Sequence, residues 1–310
     1  MPRVDTVVIG AGHAGLAVSR CLTGRGRAHV VLERGRVAER WRSERWDSLR
    51  LLTPNWMSGL PGWAYRGPDP DGFMTATELA DHIVAYAHAS TAPVRQRCAV
   101  RSVELVGGRF AVTTDDGRWW AEDVVLATGW CDRPAVPALG AGLDRDVVQL
   151  RPTRYRDPSS LPPGGVLVVG ASATGVQLAH ELAGAGRDVV LAVGTHTRVP
   201  RRHRGHDIYR WLAATGSLDR TVDELPDPVA ARTEPSPQLV GRPDHADLDL
   251  AVLQGAGVTL VGRLAHLDGH RAGSATACPS PACAATGTGR SAACMPAHAG
   301  TAQPASTRGS

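Results

Sequence analysis

The hydrophobic pattern of this chain repeats itself. An apolar run, Val7-Val8-Ile9, breaks into Gly10-Ala11-Gly12-His13-Ala14-Gly15; a second, Leu167-Val168-Val169, breaks into Gly170-Ala171-Ser172-Ala173-Thr174-Gly175. The match runs on without a gap: Leu22, Gly24, Gly26, Arg27 and Val30 recur as Leu182, Gly184, Gly186, Arg187 and Val190. Each stretch predicts a buried strand, a glycine turn, a helix and a second strand, which is a βαβ unit. Between the two, residues 77–89 have the spacing of an amphipathic helix with Thr77 as its cap. Alternating segments over 99–106, 109–114 and 118–121 predict a small antiparallel meander, and Val124-Val125-Leu126-Ala127-Thr128-Gly129 predicts a buried strand. Beyond the second unit, residues 207–216 predict a helix. Residues 239–264 hold βαβ remnants, with Val258-Thr259-Leu260-Val261 as a strand.

The glycine turns carry the first chemistry. Gly10 allows a tight turn out of the strand, Gly12 lets backbone approach a pyrophosphate, and Gly15 lets the helix pack close to the strand. The helix N-terminus, with His13 and Ala14 in its first turn, then faces phosphate. The following strand, His29-Val30-Val31-Leu32, ends at Glu33 and Arg34, where a carboxylate can accept hydrogen bonds from ribose hydroxyls. In the second unit Ser172 replaces the middle glycine beside Gly170, Thr174 and Gly175, and Val193 stands where Glu33 stood. Thr195, His196, Arg198, Arg201, Arg202 and Arg204 follow, and guanidinium groups with no acid favour a 2′-phosphate. Two such units predict two dinucleotides and an electron pair passed between them.

Composition changes this picture little. Of the 310 residues, 43% are hydrophobic, enough for two domains, and the 34 basic residues are all arginine. A net charge of +4 spread along the whole length gives no basic patch for nucleic acid. There is no apolar leader and no run long enough to span a membrane, so the expected setting is soluble and cytoplasmic. The six cysteines form no C-x-x-C pair, and no metal site is predicted.

Half of the eight tryptophans fall between Trp41 and Trp63, in a loop-rich stretch. Core packing explains indoles there; flat surfaces beside a flavin ring or an apolar substrate are the alternative. With Glu39-Arg40-Trp41, Trp46-Asp47-Ser48-Leu49-Arg50-Leu51-Leu52-Thr53-Pro54, Ala127-Thr128-Gly129 and Arg201-Arg202-His203-Arg204-Gly205-His206-Asp207-Ile208, the chain resembles the flavin-containing monooxygenases. These are relatives of the Baeyer–Villiger enzymes, and a bacterial branch of FAD-dependent oxidoreductases is the most similar. The resemblance covers residues 4–271.

What the resemblance implies is an α/β fold with two Rossmann-like dinucleotide-binding domains. An FAD domain would occupy 1–157, including the meander, and an NADP domain 158–270. FAD would be held by Gly10, Gly12, His13, Ala14, Gly15, Glu33, Arg34, Trp41, Thr128 and Gly129. NADPH would be held by Gly170, Ser172, Thr174, Gly175, Arg198, Arg201 and Arg202. NADPH would reduce the flavin, which would activate dioxygen as a C4a-hydroperoxide and oxygenate a small organic substrate. Thr53 and Asn55 are candidate catalytic groups at the flavin edge, with satisfied loop residues as the alternative.

The family motif Phe-x-Gly-x-x-x-His-x-x-x-Phe/Tyr aligns on Arg145, Val147, Arg151 and Tyr155, of which only Tyr155 matches. An NADPH:acceptor reductase without oxygenation therefore stays open, as does an inactive remnant that only binds nucleotide. From Ala272 to Ser310 no Leu, Ile, Val, Phe, Trp, Tyr, Asp or Glu occurs. Residues 271–310 are accordingly expected to form a disordered tail, of the kind a truncated or frame-shifted copy would carry.

Overall fold

The computed structural model describes residues 2–131, 133–195, 197–232, 237–275 and 292–293. In chain order, β1 (Arg3–Ile9), α1 (His13–Gly24), β2 (His29–Leu32), α2 (Glu39–Ser43), α3 (Ala76–Ala89) and β3 (Val94–Arg95) come first. Then follow β4 (Val100–Val106), β5 (Arg109–Thr114), β6 (Gly117–Leu126), β7 (Val166–Val169), α4 (Ala173–Gly184) and β8 (Val189–Ala192). Next are β9 (Thr197–Arg198), β10 (Arg202–His203), β11 (His206–Asp207), α5 (Ile208–Ala214), α6 (Pro228–Ala231) and β12 (Pro237–Gln238). Last are α7 (Leu250–Gly255), β13 (Thr259–Val261), β14 (Leu264–Asp268), β15 (Arg271–Ser274) and β16 (Ala292–Ala293).

These elements form two compact units. The first comprises residues 1–136, 150–157 and 197–248; the second comprises 137–149, 158–196 and 249–310.

The first unit is built on a six-stranded sheet of order β3-β2-β1-β6-β5-β4. Strands β3, β2, β1 and β6 run parallel, with Val7 facing Val30 on one side and Val124 on the other; β4, β5 and β6 are antiparallel. Both faces of β1 are covered, so its run is continuously apolar rather than alternating. Val8 packs with Leu16, Val31, Ile83 and Tyr86, on the face that α1 and α3 cover. Val7 packs with Val30, Leu32, Cys98 and Val112, on the face that the meander covers. Each such side chain contributes about 1.5–3 kcal/mol by leaving water.

Two expectations are corrected here. The segment 118–121 and the run from Val124 are one strand, β6; Glu122 and Asp123 between them are exposed and ion-paired to Arg3 and Arg27. The cap of α3 is Thr75, not Thr77: Thr75 Oγ1 accepts from the Glu78 N–H and the Glu78 carboxylate accepts from the Thr75 N–H, a full capping box.

The second unit contains a three-stranded parallel sheet, β13-β8-β7. Val176, Ala179 and Leu182 of α4 are buried, as are Leu191 on β8 and Leu253 on α7. A hairpin, β14–β15, turns at Gly269, which adopts a φ of 56°. The first residues of the expected tail are ordered. Arg271–Ser274 are paired strand, and the Ala275 N–H donates to the Arg263 carbonyl. Ala292–Ala293 pair with β15; the rest of the expected tail lies outside the described residues.

The domain division also shifts. Residues 197–248, expected in the second domain, pack with the first, where they meet the loop over 51–75, and residues 137–149, expected in the first, fall in the second. A Cβ on Gly241 would lie 2.0 Å from the Leu51 carbonyl oxygen, and Arg210 Nη2 pairs with Asp71 at 2.6 Å. No helix among the described residues is long and apolar enough to cross a membrane.

Candidate dinucleotide sites

In the first unit the turn after β1 is shaped by close backbone contact. Gly10 has a φ of +108°, and a Cβ on it would lie 2.4 Å from the Ala127 carbonyl oxygen. A Cβ on Gly15 would lie 1.9 Å from the Gly10 carbonyl oxygen, so the first turn of α1 rests directly on the strand end. Gly12 differs: its φ of −81° suits any residue, and a Cβ there would meet nothing within 4 Å. The backbone at position 12 is therefore open to the approach of a pyrophosphate.

The helix start agrees with this. Gly12 caps α1 with no side-chain hydrogen bond, while Thr75, Asp207 and Asp249 cap α3, α5 and α7 with theirs. The leading amides of α1 are therefore left to a ligand or water. One amide of the loop is taken. Glu33 Oε2 accepts from the Ala11 N–H at 2.8 Å and Oε1 from the Gly35 N–H at 2.8 Å. The carboxylate at the end of β2 is thus held against the glycine loop, with lone pairs left for ribose hydroxyls.

The second unit reproduces this geometry. A Cβ on Gly175 would lie 1.8 Å from the Gly170 carbonyl oxygen. Ser172 is exposed and starts α4 without a side-chain cap, and Thr174 is half-buried in the first turn. Val193, at the position of Glu33, is fully buried.

Other predicted site residues scatter. His13, Ala14 and Arg34 are exposed at the rim of the first loop, and Thr128 and Gly129 are exposed after β6. Trp41 is half-buried against the α1–α3 core, with the Arg45 guanidinium 4.9 Å from its ring. Burial pushes Arg45 below its ordinary pKa, and nearby Arg40 acts in the same direction. Trp46 is buried and Trp63 packs against His82 and Tyr86, so these indoles serve the core.

Asn55, proposed at the flavin edge, is a buried loop clamp instead. Its Oδ1 accepts from the Met74 N–H at 2.7 Å and its Nδ2 donates to the Asp69 carbonyl at 2.9 Å. Thr53 is half-buried in the same loop.

Among the arginines, Arg201 is corrected most. It is 2% exposed, with Nε donating to Asp207 Oδ2 at 2.7 Å and Nη1 to the Leu52 carbonyl at 2.5 Å. Its guanidinium carbon lies 4.2 Å from the centre of the Phe73 ring. Burial pushes it below its ordinary pKa, with Asp207 opposing. It is a core ion pair of the first unit and has no face for a nucleotide phosphate. Arg198 and Arg202 are exposed in the same unit, Arg198 within 3.5 Å of Asp247.

Two residues not singled out from the sequence do reach the loops. Arg40 pairs with Glu44 at 2.6 Å and donates to the Cys131 carbonyl, bracing the segment after β6. Arg263, from the turn after β13, donates to Thr195 Oγ1 at the end of β8. The i,i+4 spacing of Arg40 and Glu44 was a readable signal; the placement of Arg263 needed the strand register.

Two glycine-loop βαβ units, each with an open helix start, define a paired dinucleotide-binding protein. The sequence profile of the pyridine nucleotide-disulphide oxidoreductases matches residues 7–215, and the chain belongs to that family. It is 39% identical over 218 residues to an uncharacterized CzcO-like oxidoreductase of Geobacillus kaustophilus, covering 70% of this chain and 62% of that one. It is 29% identical over 250 residues to the rice indole-3-pyruvate monooxygenase YUCCA4, covering 71% and 54%. The flavin-containing monooxygenase of Stenotrophomonas maltophilia superposes with a TM-score of 0.64 at 23% identity, covering 89% and 74%. That likeness establishes the fold, and the relatives include the flavin monooxygenases to which the sequence motifs pointed. The chain spans less than two thirds of the length of the two curated relatives.

Proposed function

We propose that the first unit binds FAD, the second binds NADPH, and the chain acts as an NADPH-consuming flavin-dependent monooxygenase on a small organic substrate with dioxygen. The observation that carries this is the pair of uncapped helix starts behind glycine turns whose backbones touch. Gly12 adds to it, leaving the backbone at the start of α1 open to a ligand. The donor set fits FAD: loop amides and the α1 N-terminus for the pyrophosphate, Glu33 for the adenosine ribose. FAD, when bound, supplies the redox and oxygen chemistry. Gly10, Gly12, His13, Ala14 and Gly15 bind the phosphates, while Glu33 and Arg34 orient the ribose. Trp41, Thr128 and Gly129 belong to the segments that flank the cofactor. Gly170, Ser172, Thr174 and Gly175 bind the pyridine nucleotide. Thr53 stays a candidate polar group near the substrate.

Relatives named as monooxygenases support oxygenation. A second reading, reductase chemistry without oxygenation, is favoured by Arg151 where the family motif has histidine. The compartment we propose is the cytoplasm, where reduced pyridine nucleotide is available.

The test is an FAD titration of the purified chain, followed by visible absorbance, and then an NADPH titration with oxygen uptake. Stoichiometric FAD binding and bleaching of the flavin bands by NADPH are expected. A chain that takes up no FAD overturns the proposal, and uptake ending only in hydrogen peroxide selects the reductase reading.

A further inference from the structure

We propose that Arg40, backed by Glu44, is a positioning residue for the flavin half of FAD, latching the segment that follows β6 in place beside the first dinucleotide site. This inference rests on the reading of the first unit as the FAD site.

Strand order brings three chain segments to one edge of the first unit. Strands β2, β1 and β6 lie side by side and parallel, with Leu32 and Leu126 both opposite Ile9, so their carboxyl ends are level. Three segments leave the sheet there: the glycine turn after β1, the run from Glu33 into α2 after β2, and residues 128–131 after β6. Backbone ties the first two together, because the N–H of Ala38, whose φ is 60°, donates to the Ala11 carbonyl at 3.2 Å. The third is tied only at its root. The Ala127 N–H donates to the Ile9 carbonyl at 2.8 Å, and no backbone–backbone hydrogen bond among the described residues holds 128–131. A side chain does so instead. Arg40 Nη2 donates to the Cys131 carbonyl, and a Cβ on Gly129, whose φ is +81°, would lie 3.4 Å from Arg40 Nη1. Arg40 Nε donates to Glu44 Oε2 at 2.6 Å, one turn further along.

Glu33 ends β2, the glycine turn ends β1, and residues 128–131 lie on the other side of β1. A dinucleotide with its adenosine ribose at Glu33 and its pyrophosphate at the turn therefore has its second half on the β6 side, outside the carboxyl ends of the strands. Residues 128–131 are exposed there. Ordering such a segment when a ligand arrives costs chain entropy, and a contact already made in the free chain removes that cost. A guanidinium suits the task because its planar fork serves a carboxylate on one side and a carbonyl on the other, which a single ammonium does less well. The ion pair is partly open to solvent, 20% and 29% exposed, so it adds little to the stability of the empty chain. Its effect falls on the ligand.

The test is equilibrium binding of FAD and of ADP to the full chain by calorimetry, with the FAD release rate and the visible circular dichroism of the bound flavin. It is run on wild type, Arg40→Met, Arg40→Lys and Glu44→Gln. ADP reaches Glu33 and the glycine turn alone. For Arg40→Met, FAD is expected to weaken by about 10- to 100-fold, the range for losing a hydrogen bond to a charged group, mostly through faster release. The dichroism of the flavin at saturation is expected to change. ADP affinity and the thermal midpoint of the FAD-free chain are expected to stay at their wild-type values. Glu44→Gln is expected to lose less, about 3- to 10-fold, and Arg40→Lys to recover part of the loss. An Arg40→Met affinity for FAD within about threefold of wild type overturns the proposal, as do equal losses for FAD and ADP. So does an Arg40→Met chain whose empty form unfolds well below wild type, because the pair then serves the fold. Wild-type protein that binds ADP but takes up no FAD overturns the FAD reading beneath the latch, and protein that binds neither overturns the dinucleotide site itself.

Discussion

Replacing Arg201 by alanine separates a structural ion pair from a nucleotide ligand. The side chain is 2% exposed and contacts Asp207 Oδ2 through both Nε and Nη2, each at 2.7 Å. Asp207 is itself 6% exposed, and its other oxygen accepts from the Tyr209 N–H at the start of α5. Truncating Arg201 leaves that carboxylate buried with no cation. Breaking a buried pair from one side costs about 3–5 kcal/mol, most of it the stranded charge. The lost cation–π contact with Phe73, at 4.2 Å, falls within the same figure. Against a typical total of about 5–15 kcal/mol this is a large fraction. At roughly 2–4 °C per kcal/mol for a unit of this size, the midpoint of thermal unfolding should fall by about 6–20 °C.

The assay is thermal and urea unfolding of wild type, Arg201→Ala, Asp207→Leu and the pair Arg201→Met/Asp207→Leu. If the charge is what matters, the double variant recovers much of the loss, because two apolar groups strand nothing. NADP+ affinity of Arg201→Ala, measured well below its midpoint, should match wild type. An Arg201→Ala protein within about 1 kcal/mol of wild-type stability but tenfold weaker for NADP+ would refute this reasoning and return Arg201 to the nucleotide.

Two further outcomes are expected. Gly15→Ala and Gly175→Ala each put a methyl inside 2 Å of a carbonyl oxygen, so each helix start must leave its strand; the first should lose FAD and keep NADP+, the second the reverse, in the same titrations. His270 faces Asp146 through Nε2 at 2.8 Å and Asp144 through Nδ1 at 3.0 Å, and only an imidazolium donates to both. The Asp146 hydrogen bond, with help from Asp144, raises its pKa above the ordinary 6.5. A raised folded-state pKa means the contact is complete below the unfolded value and is lost as pH rises through the folded one. An NMR titration should find His270 above 6.5 and moving down in Asp146→Asn, and a wild-type value at or below 6.5 would contradict the geometry.

The glycine loops were legible because their requirements are local. A turn, an uncapped helix start and a close strand–helix contact are set by a few consecutive residues, and the repeat carries all three from Gly10 to Gly170. The meander was legible for the same reason, since alternation encodes which side is wet. Where the reading failed, the decisive interactions were distant. Glu122 and Asp123 looked like a break between strands, yet at an exposed sheet position paired with Arg3 and Arg27 they sit comfortably inside β6. Thr75 is a readable cap, three residues before Glu78, whereas Thr77 lies inside the helix beside the apolar spacing.

The arginines make the physical point most sharply. The sequence distinguished the two units by charge, an acid after one and basic residues after the other, and the guanidinium beside Val193's strand end is that of Arg263, which the sequence did not single out. But the arginine that reaches the strand end comes from after β13, whereas the run that follows β8 in the chain folds into the first unit. Covalent succession predicts the end of a strand; it does not predict what lies beside that end, which is decided by the parallel neighbour. In a βαβ unit that neighbour arrives only after a crossover, so a side chain it contributes is invisible to motif spacing. It becomes visible once Val261 is set opposite Ala192. The same register argument applied to the first unit puts Arg95, at the end of β3, opposite Leu32, one residue before Glu33. There the neighbour supplies backbone instead: the Glu33 N–H donates to the Arg95 carbonyl at 2.9 Å, which leaves the carboxylate as the group that meets the ribose.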